Sequence, residues 1–329
     1  MTFALATHWV WDLWLADDGE RYHLYYLHAP RSLGDEQLRH RHARIGHATS
    51  TDLTHWSDHG EVLGPGEPGA FDASATWTGS VVRGDDGLWR MFYTGSRFLT
   101  ADAGTNIETI GVATSTDLHH WVKAPGPVAA ADPRWYETLA DGTWREEAWR
   151  DPWVQRGADG RWHMLVTARA RTGDGADRGV VGHAVSDDLE QWEVLPPLSE
   201  PGGGFAHLEV PQLIDVDGER ILLLSCSTSD LTGARAGEVG GIYSVGLGPS
   251  GAGPDGFDEP YPIADAVRLV DDSLYAGRII QDRAGQAVLL AFANGGAHGA
   301  FGGAITDPIP VAWNRRIGAL RLIDESSAA

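Results

Sequence analysis

A turn followed by a strand, repeated five times, constrains this chain more than any other feature of its sequence. Asp18-Gly19, Asp86-Gly87 and Asp159-Gly160 each run into an alternation of aromatic and aliphatic residues, YHLYY, LWRMFY and RWHMLV respectively. Asp217-Gly218 and Ala284-Gly285 open two weaker copies, ILLL and AVLLAF. The five glycines are spaced by 68, 73, 58 and 67 residues. A second motif follows three of the turns: GHATSTDLTHW from Gly46 to Trp56, GVATSTDLHHW from Gly111 to Trp121 and GHAVSDDLEQW from Gly182 to Trp192. Each unit therefore reads as a turn, a buried strand, a loop, another strand ending in Ser-x-Asp-Leu, and a Trp that closes the unit. Units of several short strands at this period bury their faces against one another radially, which predicts an all-β chain folded as a five-bladed β-propeller. Asp-Gly hairpins also recur in β-sandwiches, but five copies at near-even spacing disfavour that reading.

Composition agrees with this and limits the partners. The 42 glycines and 14 tryptophans, with no long amphipathic pattern, suit short strands and turns, and 329 residues fit one propeller domain spanning 1–329. The Gly-rich stretches 201–204, 233–256 and 295–303 read as loops, and residues 305–323 are expected to pack on the first blade and complete the ring. A net charge of -21 repels nucleic acid and anionic membranes, so neither is an expected partner. The single cysteine, Cys226, permits no internal disulfide and sits in an apolar run as a buried small residue. Residues 1–14 lack the basic start and apolar core of a signal peptide, and no apolar run reaches 18 residues. A cytoplasmic protein acting on a small neutral carbohydrate is the expectation.

The stretch Trp149-Arg150-Asp151-Pro152-Trp153 brings a guanidinium and a carboxylate between two indoles. Charged groups recognise sugar hydroxyls and aromatic faces take the C–H surface. Alone, such a pair is as readily a structural salt bridge. Its weight comes from two further acids in unusual company, Asp12 within HWVWDLW and Glu209 within HLEVP. Asp12 lies seven residues before Gly19, Asp151 nine before Gly160 and Glu209 nine before Gly218, so the three hold nearly the same place in blades one, three and four. The first strand of a blade lines the propeller axis, where these acids would converge. The equivalent stretch of blade two, Trp77-Thr78-Gly79-Ser80, offers an indole and a hydroxyl, and that of blade five offers Tyr275. His207 shares a strand face with Glu209. His40, His42 and His47 match no compact zinc motif, so no metal and no cofactor are expected, and His40 and His42 are read onto an exposed loop.

These residues resemble the five-bladed propeller enzymes of glycoside hydrolase families 32 and 68, the invertases, levanases and levansucrases. VWDLW around Asp12 looks like the nucleophile strand of the levansucrase type, WTGS around Trp77 like the family's Trp-Ser-Gly-Ser, and Arg150-Asp151-Pro152 like its Arg-Asp-Pro. The resemblance implies that Asp12 is the nucleophile, that Asp151 grips fructosyl hydroxyls and steadies the transition state, and that Glu209 is the general acid/base. It implies a fructose subsite shaped by Arg150, Trp11, Trp77 and Ser80. Glu209 departs from the pattern, being followed by Val210 rather than the Cys of invertases or the Arg of levansucrases. The chain also ends near the fifth blade, where invertases continue into a β-sandwich, which suggests little room for polymer and favours hydrolysis over transfer. For this chemistry Glu209 should start protonated, its pKa raised by burial and like charges, and Asp12 should stay ionised through hydrogen bonds from Ser80 and backbone donors. Two alternatives share parts of this pattern. An inverting arabinanase or xylosidase of family 43 would use Asp12 as a base, and a non-catalytic sugar-binding propeller would need no trio of acids.

Overall fold

The computed structural model describes residues 2–100, 104–250, 256–257, 260–295 and 300–323. Among them are five antiparallel sheets of four strands each. Blade one comprises β1 (His8–Asp17), β2 (Tyr22–Pro30), β3 (Arg44–Ser50) and β4 (Ser57–Leu63). Blade two comprises β5 (Ala75–Arg83), β6 (Trp89–Phe98), β7 (Asn106–Ser115) and β8 (Val122–Lys123). Blade three comprises β9 (Trp149–Arg156), β10 (Trp162–Arg169), β11 (Gly179–Ser186) and β12 (Glu193–Leu195). Blade four holds β13 (Glu209–Val216), β14 (Glu219–Cys226), β15 (Gly241–Pro249) and β16 (Val267–Asp271), and blade five β17 (Leu274–Gln281), β18 (Ala287–Ala293), β19 (Ile309–Asn314) and β20 (Ala319–Leu322). The first strands β1, β5, β9, β13 and β17 touch in a closed cycle about the axis.

The apolar alternation in the second strand of each blade explains the stacking. Successive side chains point to opposite faces of a strand, and both faces of a propeller blade are covered. Leu222 and Leu224 of β14 pack with Leu165 and Val181 of blade three, whereas their neighbours Ile221 and Leu223 pack with Leu289 and Ala291 of blade five. Tyr25 and Leu27 of β2 meet Met91 and Tyr93 of blade two, whereas Leu24 and Tyr26 meet Leu290 of blade five. Five inter-blade seams form the core, and strands buried on both sides read as continuous hydrophobic runs.

The Ser-x-Asp-Leu-x-x-Trp motif is a turn with its own capping. Asp52 accepts hydrogen bonds from the backbone of Thr54 (2.9 Å) and His55 (2.8 Å), and Asp117 and Asp188 do the same in their copies. The leucine adopts a left-handed backbone in all three copies, with φ of 63° at Leu53, 64° at Leu118 and 67° at Leu189, and is buried each time. Trp56 and Trp121 donate their indole N–H to the carbonyls of Leu53 and Leu118. The Trp192 indole nitrogen makes no such bond; its ring packs edge-on against Phe92 of blade two.

Two of the loop and closure expectations need correction. Gly241–Pro249 is a strand, so the Gly-rich stretch 233–256 is not all loop; its residues 251–255, like residues 296–299 of the third stretch, lie outside the described residues. Residues 305–323 mainly supply β19 and β20, the outer strands of blade five, rather than packing on blade one as a unit. The seam between blades five and one is closed by Phe3 and Ile305, which exchange backbone hydrogen bonds of 3.0 and 2.9 Å.

Candidate active site

Each first strand carries a one-residue register slip at the same level. The shifts fall between Trp11 and Leu13, Trp77 and Gly79, Arg150 and Trp153, Glu209 and Gln212, and Tyr275 and Arg278. A bulge of this kind re-aims side chains, and here it does so five times around one axis. Four of the five bulges put a non-glycine residue at positive φ: Asp12 (25°), Asp151 (59°), Val210 (53°) and Ala276 (50°). Backbone held in such conformations is strained, and strain of this kind concentrates at functional sites.

The bulges correct the blade equivalence drawn from sequence counting. Asp12, Thr78, Asp151, Val210 and Ala276 occupy the bulge itself, and Trp11, Trp77, Arg150, Glu209 and Tyr275 occupy the position before it. Asp12 and Asp151 are true equivalents. Glu209 is instead the counterpart of Trp11, Trp77, Arg150 and Tyr275, so the site has two tiers, with Glu209 in the same tier as the aromatic rings.

Both tiers open into a cavity of about 600 Å³ lined by Trp11, Asp12, Trp77, Arg150, Asp151, His207, Glu209 and Tyr275. Ser80 is not among the lining residues. Its hydroxyl accepts a hydrogen bond from the Val154 backbone (3.1 Å), and the donor that reaches Asp12 is Thr78, through its Oγ1 to Oδ2. The two tryptophans of the Trp149–Trp153 stretch also turn away from any sugar. Trp149 is fully buried against Tyr136, ring centroids 4.7 Å apart, and the Arg278 guanidinium lies over Trp153 at 5.1 Å. The aromatic surface of the cavity comes from Trp11, Trp77, Phe98, Tyr275 and Phe292. His40, expected on an outer loop, lines the cavity from the 3-10 segment Glu36–His42, and its carbonyl accepts the Trp77 indole N–H at 2.8 Å.

Arg150 organises the charges. It lies 2.7 Å from Glu209, 3.0 Å from Glu108, 3.2 Å from Glu146 and 3.6 Å from Asp151. A buried guanidinium facing four carboxylates has every direction of its fork matched. Glu108 and Glu146 escaped the sequence reading, since the β7 strand and the loop before β9 carry no motif. The buried Glu108 carboxyl is raised to about 7, burial outweighing the pull of Arg150. Asp151 receives the Thr167 hydroxyl (2.8 Å) and the Val210 N–H (3.2 Å), and its own N–H is held by Thr94 (2.9 Å), which ties blades two, three and four together. Burial raises the Asp151 pKa, against the opposing pull of Arg150.

The proton distribution of the free site is the reverse of the expectation. Burial and the neighbouring charge of Asp151 push Asp12 up to about 7, despite the Thr78 hydrogen bond. Burial would also raise Glu209, but Arg150 and His207, with hydrogen bonds from Arg150 and from the Tyr275 hydroxyl at 2.5 Å, hold it below the ordinary carboxylate value. Burial and the Arg150 charge keep His207 neutral, 3.2 Å from Glu146. Burial lowers Arg39 against the attraction of Asp12; it stacks on Trp11 and Phe301 and lines the cavity. Cys226 is buried and burial raises its thiol, so it offers no nucleophile.

Comparison with known proteins follows this geometry. Residues 14–298 match the model of the glycosyl hydrolases family 32 N-terminal domain, a span beginning two residues after Asp12. The raffinose invertase of Escherichia coli is 29% identical over 218 residues, 65% of this chain and 40% of the relative. The sucrose-6-phosphate hydrolase of the same organism is 29% identical over 245 residues, 71% of this chain and 45% of the relative. The matches thus span less than half the length of these relatives. Among solved structures, an inulosucrase from Halalkalicoccus jeotgali bound to kestose superposes with a TM-score of 0.78 at 22% identity, covering 98% of this chain and 89% of that one. A β-fructofuranosidase of Bombyx mori superposes with a TM-score of 0.73 at 20% identity, covering 99% of this chain and 65% of that one. At such identities the structural likeness speaks for the fold, and the match over most of the chain's length speaks for more: the chain belongs to glycosyl hydrolase family 32, of which it carries the N-terminal five-bladed propeller domain.

Proposed function

We propose that this chain is a retaining glycoside hydrolase that cleaves β-fructofuranosyl linkages in sucrose or short fructans, with fructosyl transfer as a minor path. The observation that carries the reading is the two-tiered ring of bulges, which brings Asp12, Asp151 and Glu209 to one cavity with Arg150 and Tyr275 against Glu209. An Asp12 carboxylate oxygen attacks the anomeric carbon, the bond to the glycosidic oxygen breaks, and that oxygen takes the proton of Glu209. Water then attacks the glycosyl-enzyme, gives its proton to Glu209, and Asp12 leaves as carboxylate. Asp151, fixed by Thr167 and Val210, accepts sugar hydroxyls and offsets positive charge on the ring in the transition state.

In the free site the proton resides on Asp12 rather than Glu209. The reactive form is the proton tautomer with Asp12 ionised and Glu209 protonated, so the limbs of the pH profile belong to the pair rather than to either residue. Trp11 and Trp77 supply apolar walls, and His207 stands beside Glu209 on the leaving-group side. A cytoplasmic setting, with small carbohydrates as the partners, fits a lone buried thiol, and among the described residues no helix is long and apolar enough to cross a membrane.

Product analysis with sucrose, inulin-type and levan-type oligosaccharides and an aryl arabinofuranoside tests the proposal. Release of fructose from the first three is expected, with little polymer at modest sucrose concentration. Glu209→Gln should slow sucrose turnover by about 10² to 10⁴ and spare substrates whose leaving group needs no proton. Cleavage of the arabinofuranoside alone, or unchanged sucrose turnover in Glu209→Gln, overturns it.

A further inference from the structure

Blade one holds a histidine cluster that the sugar site does not use. His47 on β3, His59 on β4 and His119 in the turn after β7 each offer a ring nitrogen within 4.8 Å of the others. Their ring centroids lie 5.1, 4.8 and 5.1 Å apart for the pairs 47–59, 47–119 and 59–119. None of the three lines the central cavity. We propose that His47, His59 and His119 form a binding site for an imidazole-preferring divalent transition metal, Zn²⁺ being the simplest, which clips blade one to blade two.

Tautomers provide the independent argument. Asp18 is ionised: burial would raise it, but hydrogen bonds from the Arg21 and Glu20 backbone and from His23 hold its pKa down. Its carboxylate can only accept, so His23, 3.2 Å away, donates from Nε2. Burial keeps His23 neutral, so its Nδ1 carries a lone pair and accepts. His47 Nε2, 3.0 Å from that Nδ1, must then be the donor. The remaining nitrogen of His47, Nδ1, is left with a lone pair, fully buried and without a hydrogen-bond partner. A carboxylate that fixes a ligating imidazole through a hydrogen-bond chain is a recurrent arrangement around metals. His59 Nε2 is likewise engaged, by Thr49 Oγ1 at 2.9 Å.

Blade three supplies an internal contrast. Asp159, His163 and His183 repeat the carboxylate–imidazole–imidazole chain, with His163 Nδ1 and His183 Nε2 3.0 Å apart, but there Phe257 stacks on His163 at 3.8 Å and fills the space. The pair is thus common to two blades, and only in blade one do two further imidazoles face it. Burial lowers the pKa of His47, His59 and His119, each reinforced by the neighbouring imidazoles, which leaves them as neutral ligands at pH 7. Bonds of about 2.0–2.1 Å to zinc require the nitrogens to close up by roughly 1 Å. His59 is exposed and His119 half-buried, so both have that freedom and the ion a route in.

The test uses the full chain without a histidine tag, stripped with chelator, given Zn²⁺, dialysed and analysed for metal and for its thermal midpoint. About one bound ion per chain and a higher midpoint with Zn²⁺ are expected, together with a tetrahedral absorption spectrum after Co²⁺ substitution. The surface pair His59→Ala/His119→Ala should remove both effects while its circular dichroism and its basal activity stay unchanged, and His120→Ala, one residue away and facing Asp117, should remove neither. Asp18→Asn should weaken binding about 10- to 100-fold through the tautomer chain. Absence of retained Zn²⁺ in the unmodified chain, or equal retention in the double variant, overturns the proposal.

Discussion

At the scale of single residues, the site turns on where one proton sits. Thr78 is the hydroxyl that favours ionised Asp12, and nothing else named in the cavity does so by hydrogen bond. Thr78→Val is therefore expected to raise the Asp12 pKa and move the acid limb of the kcat/KM profile to higher pH, whereas Thr78→Ser keeps it in place; coincident limbs for the two variants would remove Thr78 from the mechanism. A stability consequence follows from the same carboxyl. Its folded pKa of about 7 exceeds the unfolded value near 3.8, so the native state holds the extra proton between those pH values and stability falls as pH rises through them. Asp12→Asn removes that loss. The variant should be inactive yet melt on the order of a few °C higher than the parent at pH 8, with the gain shrinking toward pH 4. Melting curves at the two pH values decide this, and an equal shift at both would mean that the charge is not its source. Asp12 and Asp151 were legible in the sequence because they share a slot ahead of their turns. Ser80 was misjudged for Thr78 because the bulge reverses which of two hydroxyls faces the axis, and a one-residue slip is a backbone property that composition does not reveal.

At the scale of elements, the bulge in each first strand is the device that turns a blade into a wall of the site. The repeats, the turns and the capping by Ser-x-Asp-Leu-x-x-Trp were readable because each rests on local chemistry: a glycine at positive φ, an aspartate on backbone N–H groups, an indole on a carbonyl. The two-tier arrangement was not, since counting back from the glycine turns mixes strand length with bulge position and so placed Glu209 beside Asp12. The histidine cluster was hidden for a related reason. Its members come from β3, β4 and a turn of the next blade, and only inter-blade packing joins them. Gly79 tests the bulge directly, because a Cβ there would fall 2.2 Å from the Phe92 carbonyl oxygen, an atom fixed in the β5–β6 ladder. Gly79→Ala should cost about 1–3 kcal/mol, as overpacking does, and lose more activity than stability because Thr78 moves with it. Thermal unfolding together with kcat checks this; a variant equal to the parent in both would show that the bulge tolerates displacement.

At the scale of the whole molecule, the ring closes by side-chain packing across five seams and a short backbone bridge between Phe3 and Ile305, so the spacing of the carboxylates is set by all five blades together. That spacing governs stereochemistry. A nucleophile must touch the anomeric carbon, which requires the Asp12 and Glu209 carboxyl groups to lie about 5 to 5.5 Å apart in the working site; an inverting pair needs roughly 6.5 to 9.5 Å to admit water between base and sugar. A pKa near 7 at Asp12 would also suit a general base, so the proton distribution alone leaves both roles open to it and the product anomer separates them. The first sugar released should keep the configuration of the substrate, as seen by NMR before mutarotation. An activated fluoro-sugar should leave a covalent adduct on the peptide that contains Asp12, stable to denaturation and absent from Asp12→Asn. Inverted product without an adduct would make Asp12 a base and assign the ring of bulges to positioning a water rather than a bond.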